Sequence, residues 1–576
     1  MKKLLVYLKP YKKETVISPL FKLLEAIFDL LVPIVVKLII DIGIENRNKP
    51  YILGMCGVLA LFALVGLACS FIAQYFAAKA AVGFSTGLRG DLFAKIQKFS
   101  YSQTDSIGTS TLITRMTTDV NQVQSAVNLF LRLFLRSPII VLGSVIMAFT
   151  VSPRNAWIFA VIIPLLSVVI FSIMIKSIPL YKRVQKNLDR VTSVTRENLA
   201  GVRVIRAFGK EDDEVRRFEE ANNDHYEIQN FVGKISALMN PLTLILVNLG
   251  VILILLFGAK DVDTGNLTMG EVVALTNYMA QILVELVKFA NTIFTINKAL
   301  ACANRIEAVL DTPVEMETVA SACEDSAILS SSVCFDKVSL TYEGDAEPSL
   351  EDISFRVPKG ATVGIIGSTG SGKTSLINLV PRFYESTKGK VFVNGLDVRS
   401  YQPNDLRKKI ALVPQKAVLF RGTVRSNLLW GNENATDEEL WEALDAAQAK
   451  DFIEAKEGLD TTVSQNGKNF SGGQRQRLTI ARALVRKAEI LILDDSSSAL
   501  DYATDAALRG AIKSLPYNPT VFLISQRTSS IQHADMIVVL EDGRIVGNGT
   551  HESLLETCEV YREIYDSQFR KGGEQA

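Results

Sequence analysis

Apolar residues fall in long unbroken blocks through the first half of the chain and in short alternating runs through the second. Residues 50–78, 137–153, 155–175 and 235–259 contain no Asp, Glu, Lys, Arg or His. A hydrocarbon core of about 30 Å takes roughly 20 helical residues to cross. Three of these blocks are long enough, and the 137–153 block extends N-terminally into 130–135. Two more segments, about 15–41 and 270–298, are mostly apolar but carry charges. The pattern predicts six membrane helices, at about 15–41, 51–78, 128–151, 155–176, 235–259 and 270–298. From about residue 333 onward, short β-rich runs alternate with helical stretches, the pattern of a parallel-sheet α/β domain. The expected organisation is a membrane domain over 1–310, a polar, acidic linker over 311–332 and an α/β domain over 333–576.

Lysine and arginine placement orients this arrangement. Lys2, Lys3, Lys9, Lys12 and Lys13 precede the first helix, and the stretches 79–127 and 176–234 are rich in both residues, whereas the other connections are short and carry few. The N-terminus, the two long connections and the α/β domain are therefore expected in the cytoplasm, with no cleavable signal. The long connections are patterned as well. Phe84, Leu88, Leu92, Ile96 and Phe99 recur at helical spacing, 109–124 reads as a return, and 184–204 breaks at Phe208 and Gly209 before a charged helix. Two helical hairpins should reach into the cytoplasm, as motion-carrying contacts or as packing struts. The net charge of +1 argues against a nucleic-acid partner. The six cysteines and three histidines show no metal-site or redox spacing.

The candidate chemistry lies in the second half. Residues 367–374 read GSTGSGKT, after an apolar strand and before an apolar helix that opens at Ser375. This is the context of a phosphate-binding P-loop. Gly367, Gly370 and Gly372, with Ser368, Thr369 and Ser371 between them, let backbone N–H groups face the phosphates. Lys373 neutralises β/γ-phosphate charge, and the Thr374 hydroxyl ligates Mg²⁺. Asp494, at the end of the strand in LILDD, is the expected carboxylate partner of that ion, and Asp495 follows it. Tyr342 is placed to stack on adenine. Gln415, in LVPQKAVLF, is placed to reach the Mg²⁺ or the attacking water. Ser471, Gly472, Gly473 and Gln474 open an apolar helix and form an anion site.

P-loop, Gln loop, SGGQ signature, LILDD strand and SALD loop stand in the order of an ABC transporter nucleotide-binding domain, and the chain resembles that family over nearly its whole length, the 549–551 GTH box included. Six helices with two cytoplasmic hairpins resemble the exporter-type membrane domain. The resemblance implies a multidomain membrane protein: a six-helix all-α transmembrane domain plus a cytoplasmic α/β P-loop NTPase domain. It implies ATP and Mg²⁺ as ligands, and ATP held between the P-loop of one chain and the signature of another. Phe208, Gly209 and 103–107 fall where the family's coupling helices lie.

Three positions depart from the family pattern. Asp495 stands where the family carries the Glu that activates water, and Gln526 stands where it carries a switch His. Gln465, Asn466 and Gly467 replace the usual Glu-Arg-Gly. Because the signature is intact, the resemblance implies the degenerate-site subunit of a heterodimeric exporter. Such a chain binds ATP, hydrolyses it poorly at its own P-loop and completes its partner's site. Open alternatives are a slow homodimer, an importer with this fold, or an ATP-gated channel or regulatory subunit. The expected partners are a second half-transporter, a lipid bilayer and an amphipathic small-molecule substrate. The expected location is the plasma (inner) membrane of a bacterium. Glu25, Asp29, Glu285, Lys288, Arg132 and Arg136 lie in the membrane half, either as interhelical ion pairs or, for the three acids, as a cavity wall that with Phe21, Phe28 and Phe294 would suit cationic amphiphiles.

Overall fold

Long apolar blocks become long helices because a helix satisfies its backbone N–H and C=O groups within its own segment inside lipid. The computed structural model describes residues 3–313 and 326–569; residues 314–325, which hold Cys323 and most of the expected linker, lie outside the described residues, as do 570–576. The chain divides into two units, Met1–Gln97 with Ser110–Thr312, and Lys98–Thr109 with Pro313–Ala576.

In the first unit, five helical stretches among the described residues are long and apolar enough to cross a membrane: Lys49–Ile96, Thr109–Val151, Pro153–Ala207, Glu211–Asp263 and Met269–Asp311. The first helix, Lys12–Leu38, falls short of that standard because Lys22, Glu25, Asp29 and Lys37 interrupt it. Side-chain oxygens cap three helix starts: Asn48 before Lys49, Ser152 before Pro153 and Thr268, with Glu271, before Met269. The 48-residue Lys49–Ile96 helix and the 55-residue Pro153–Ala207 helix extend about 72 and 82 Å at 1.5 Å per residue. Each is more than twice the hydrocarbon thickness. The second hairpin turns at Phe208 and Gly209, with Gly209 at φ +59° and Phe208 exposed, before Glu211–Ala237 runs back.

Small residues and ion pairs hold these helices together. Ala73, Ala77 and Ala81, four residues apart and buried, face Lys12–Leu38, and the Ser18 hydroxyl donates to the Ala73 carbonyl at 2.9 Å. Small side chains at that spacing let two backbones approach. The intramembrane acids are paired. Lys22 meets Glu25 at 2.5 Å, Arg136 bridges Asp29 at 2.8 Å and Glu285 at 2.9 Å, and Glu285 also takes Lys288 at 2.9 Å and the Ser137 hydroxyl at 2.8 Å. Three carboxylates thus stand against three cations, and Asp29 and Glu285, with Arg136, also line a cavity of about 300 Å³. Arg136 clamps Lys12–Leu38 to Met269–Asp311. Farther along Met269–Asp311, Arg305 grips the buried Asp119 through two nitrogens at 2.6 and 3.0 Å.

The second unit carries two main sheets. One is antiparallel, in the order Leu350–Pro358, Ser331–Leu340, Lys388–Val393, Leu396–Asp397. The other runs Arg544–Gly549, Met536–Glu541, Thr362–Gly367, Thr520–Ile524, Ile490–Asp494, Ile410–Val413 and is parallel except for the first pair. Its middle strands are apolar on both faces and buried, as parallel strands covered on both sides must be.

Removing one partner of a buried pair strands the other charge, at about 3–5 kcal/mol. Arg136→Leu should therefore lower the thermal midpoint of the membrane unit in detergent. Adding Asp29→Asn and Glu285→Gln should recover most of the loss. A single variant that melts like the parent would show that the clamp contributes no stability.

Candidate functional site

Four parallel strands end at one edge of the six-stranded sheet, and the loops that follow them hold the candidate residues. Ile524 pairs with both Ile365 and Asp494, and Val413 pairs with Leu493. That register brings the 367–374 loop, Asp494 with Asp495, Ser525 with Gln526, and Gln415 to a common crevice, the usual binding position in such sheets. Thr369, Gly370, Gly372, Lys373, Thr374, Ser375, Gln415, Asp494, Asp495 and Gln526 line one cavity of about 270 Å³ there.

Local geometry explains the loop. Gly370 and Gly372 sit at φ +90° and +91°, where a side chain would be strained, and Gly372 opens the helix Lys373–Asn378. The Lys373 ammonium donates to the Gly367 and Ser368 carbonyls at 2.9 and 2.6 Å and to the Ser371 hydroxyl at 3.3 Å. The Thr374 hydroxyl donates to the buried Asp494 carboxylate, 3.1 Å from Oδ2. Asp495 is half-buried at φ +43°, and the Gln415 amide approaches its Oδ2 at 3.4 Å. Gln526 is exposed, and its carbonyl accepts from the Gln568 amide at 2.7 Å.

Tyr342 does not line this cavity; it stands beside the loop, its hydroxyl donating to Ser375 Oγ at 2.8 Å. The ring of Tyr384 meets Tyr342 edge-on at 5.0 Å, and the Tyr384 hydroxyl donates to Asp105 at 2.6 Å in the short helix Tyr101–Ile107. Tyr101, from the same helix, stacks on Phe383 at 4.4 Å. The signature lies elsewhere. Ser471 caps the helix Gly472–Val485 in a reciprocal bond pair with Gln474, at 3.3 and 3.0 Å. Gly472 lines a second cavity of about 510 Å³ with Asn466, Lys468, Arg475 and Gln476. Among the lining residues, Gln415 is common to both cavities; no signature residue reaches the first.

Two family models match the chain: the ABC transporter transmembrane region over residues 15–286 and ABC transporter over 350–498. An uncharacterized ABC transporter ATP-binding protein of Mycobacterium tuberculosis is 36% identical over 565 residues, 98% of this chain and 97% of its own. The chain belongs to the ABC transporter family. An ATP-dependent lipid A-core flippase of Chromobacterium violaceum is 32% identical over 570 residues, 99% of this chain and 97% of its own. Among solved structures, a bacterial Atm1-family ABC exporter with ATP bound shares the fold, with a TM-score of 0.80 at 24% identity, covering 98% of this chain and 99% of that one.

The transporter's P-loop cavity is electrostatically unbalanced, with two carboxylates facing one ammonium. Burial holds the Lys373 amine below the usual lysine range, against the opposing pull of Asp495 and Asp494. Burial pushes Asp494 above the usual carboxylate range; Asp495 adds to this, while the Thr374 hydroxyl and Lys373 oppose it. A hydroxyl and a carboxylate 3.1 Å apart are a donor set for a hard divalent cation that completes its shell with phosphate oxygens and water. The residues therefore fit Mg·ATP. Ser349 also lines the cavity; nothing in the sequence singles it out. Tyr384 could have been suspected only as an aromatic following another, Phe383.

A raised folded pKa means that folding favours protonated Asp494, so its charge opposes folding at any pH above that pKa. Asp494→Asn should accordingly raise the thermal midpoint of the ligand-free full-length chain at neutral pH. The gain should vanish as pH falls below the ordinary carboxylate range. The same variant should lose most of the stabilisation that Mg·ATP gives the parent. A ligand-free variant that melts lower would contradict this assignment.

Proposed function

We propose that this ABC transporter is one half of an ATP-driven exporter that moves amphipathic compounds from the cytoplasm or inner leaflet of a bacterial inner membrane. It is proposed to pair with a different half-transporter. The observation that carries the reading is the separation of P-loop and signature onto two cavities within one chain, so that closing an ATP site takes a second chain. The nucleotide is assigned to Gly367–Ser375 and Tyr342 on this chain and to Ser471–Gln474 toward the partner's nucleotide. Thr374, Asp494 and Gln415 would hold the Mg²⁺, which supplies charge neutralisation at the phosphates when bound.

The degenerate assignment rests on two side chains that share the P-loop cavity. A general base has to come within about 2.6–3.2 Å of the water it activates. Asp495 is one methylene shorter than Glu. Gln526 carries no group that can relay a proton or become a cation. Both substitutions act on this chain's own P-loop, whereas Ser471–Gln474 retains the capped helix start that presents N–H groups to an anion. The lipid flippase among the relatives and the apolar membrane unit favour a lipid-like or amphipathic cargo.

The test is steady-state ATPase of the assembled pair, each substitution placed on this chain alone. Asp495→Asn should change turnover by less than about threefold, far below the roughly 10²–10⁴-fold range of a lost general base. Ser471→Arg, which puts a bulky cation where the partner's nucleotide docks, should nearly abolish it. A loss for Asp495→Asn as large as that for the partner's equivalent Glu would make Asp495 a working base and overturn the asymmetry. Strong cooperative ATPase from this chain alone would overturn the pairing.

A further inference from the structure

A third cavity in the α/β unit shares no lining residue with either of the two already described. It encloses about 340 Å³ between the helix Tyr502–Lys513, the strand Thr520–Ile524 and the helix Thr528–Ile531 with the residues after it. Ile512 and Val521 make part of its wall apolar, and Tyr502, Arg509 and Lys513 add an aromatic ring and two cations. An apolar wall with a few converging polar groups is the usual make-up of a small-molecule site. Arg509 is half-buried and uses one nitrogen, Nε, on Asp505 Oδ2 at 3.2 Å. Its two terminal nitrogens have no partner among the described residues, and the exposed Lys513 has no carboxylate there. The nearby acids are already engaged: Asp505 also accepts from the Ser530 hydroxyl at 3.0 Å, and Asp535 accepts from the Thr362 N–H at 2.8 Å. A guanidinium with its fork open, beside a second cation, matches a carboxylate or a phosphate.

A run of buried side chains connects this cavity to the P-loop cavity. Ser530 lines the third cavity, and its hydroxyl lies 3.5 Å from that of Ser497, in the loop after Asp495. The Ser497 hydroxyl lies 3.3 Å from that of Ser525, which lines the P-loop cavity. Asp505, Ser530, Ser497 and Ser525 are all buried. Polar groups linked in a low-dielectric interior polarise and position one another, so a ligand that competes with Asp505 for Arg509 acts on the whole run. We propose that the third cavity is an effector site for a small organic anion. A flat apolar body lies against Ile512 and Val521, and a carboxylate or phosphate group is held by Arg509 and Lys513. With Arg509 drawn to the ligand, Ser530 becomes the main donor to Asp505, and the hydroxyl run to Ser525 readjusts at the edge of the nucleotide site.

The test is photolabelling of the full-length transporter, in the assembly in which it purifies, with 4-azidobenzoate. Adducts on the peptide spanning 502–513 should saturate with probe concentration. Benzoate or phenyl phosphate should compete, the better of the two naming the head group, and neutral benzamide at the same concentration should not. Arg509→Gln should raise the half-saturating concentration by about tenfold or more, the worth of charge-assisted hydrogen bonds. Lys513→Glu, at an exposed position outside the core, should raise it by about fivefold, as for an exposed charge contact. Saturating Mg²⁺ with a non-hydrolysable ATP analogue should shift it by about fivefold, a typical coupling between two sites. Ser497→Ala should remove that shift and leave the labelling. Labelling that does not saturate, that benzamide displaces as well as the anions do, or that Lys513→Glu leaves unchanged would overturn the site. The absence of a nucleotide shift, or a shift that survives Ser497→Ala, would overturn its role as an effector site. None of these readouts needs transport or hydrolysis, so failure of the exporter reading would leave them intact.

Discussion

The nucleotide unit depends on the register of three adjacent parallel strands, Thr362–Gly367, Thr520–Ile524 and Ile490–Asp494. Ile524 sits opposite Ile365 on one side and Asp494 on the other. A one-residue slip would turn Asp494 to the opposite face and separate its carboxylate from the Thr374 hydroxyl. These strands are buried on both faces among Val, Ile and Leu. The carboxylate at the end of such a strand is desolvated as a consequence, which is why its proton affinity rises. A divalent cation and the phosphates it accompanies resolve that imbalance.

The nucleotide loop is connected to a helical segment inside the second unit. The helix Tyr101–Ile107 groups with the α/β residues rather than with the helices that flank it in sequence. Tyr384 touches both Asp105 on that helix and Tyr342, whose hydroxyl is bonded to Ser375 at the start of the P-loop helix. Two hydrogen bonds and an aromatic contact thus connect the nucleotide loop to a segment that is continuous in the chain with the membrane helices. In the membrane unit, rigidity comes from paired charge and close backbones. Arg136 serves two acids on two helices, and the buried alanines of Lys49–Ile96 let Lys12–Leu38 lie close.

Much of this was legible in the sequence, for identifiable reasons. The P-loop, the LILDD strand and the SGGQ helix start each combine an unusual composition with a fixed place between a strand and a helix, so local pattern sufficed. Glycine at positions 370 and 372 marks backbone that takes positive φ. The first membrane helix was harder, because its charges lower its apolarity. Those charges make sense only once Arg136 and Asp29, 107 residues apart, are seen to meet. That Asp29 and Glu285 are both ion-paired and on a cavity wall was unreadable from the sequence for the same reason. Tyr384 and Ser349 were invisible because their roles come from topology, which brings them beside groups distant in the chain.

This chain is proposed to contribute an ATP site that binds nucleotide but hydrolyses it poorly, and a signature that serves another chain. Photolabelling with a photoreactive ATP analogue and vanadate during turnover tests it directly, since vanadate traps nucleotide only where hydrolysis has occurred. In membranes holding the assembled transporter, trapped label is predicted on the partner's P-loop peptide, while the Lys373 peptide of this chain labels equally with and without vanadate. Vanadate-dependent trapping on the Lys373 peptide, at the level found on the partner, would contradict the account.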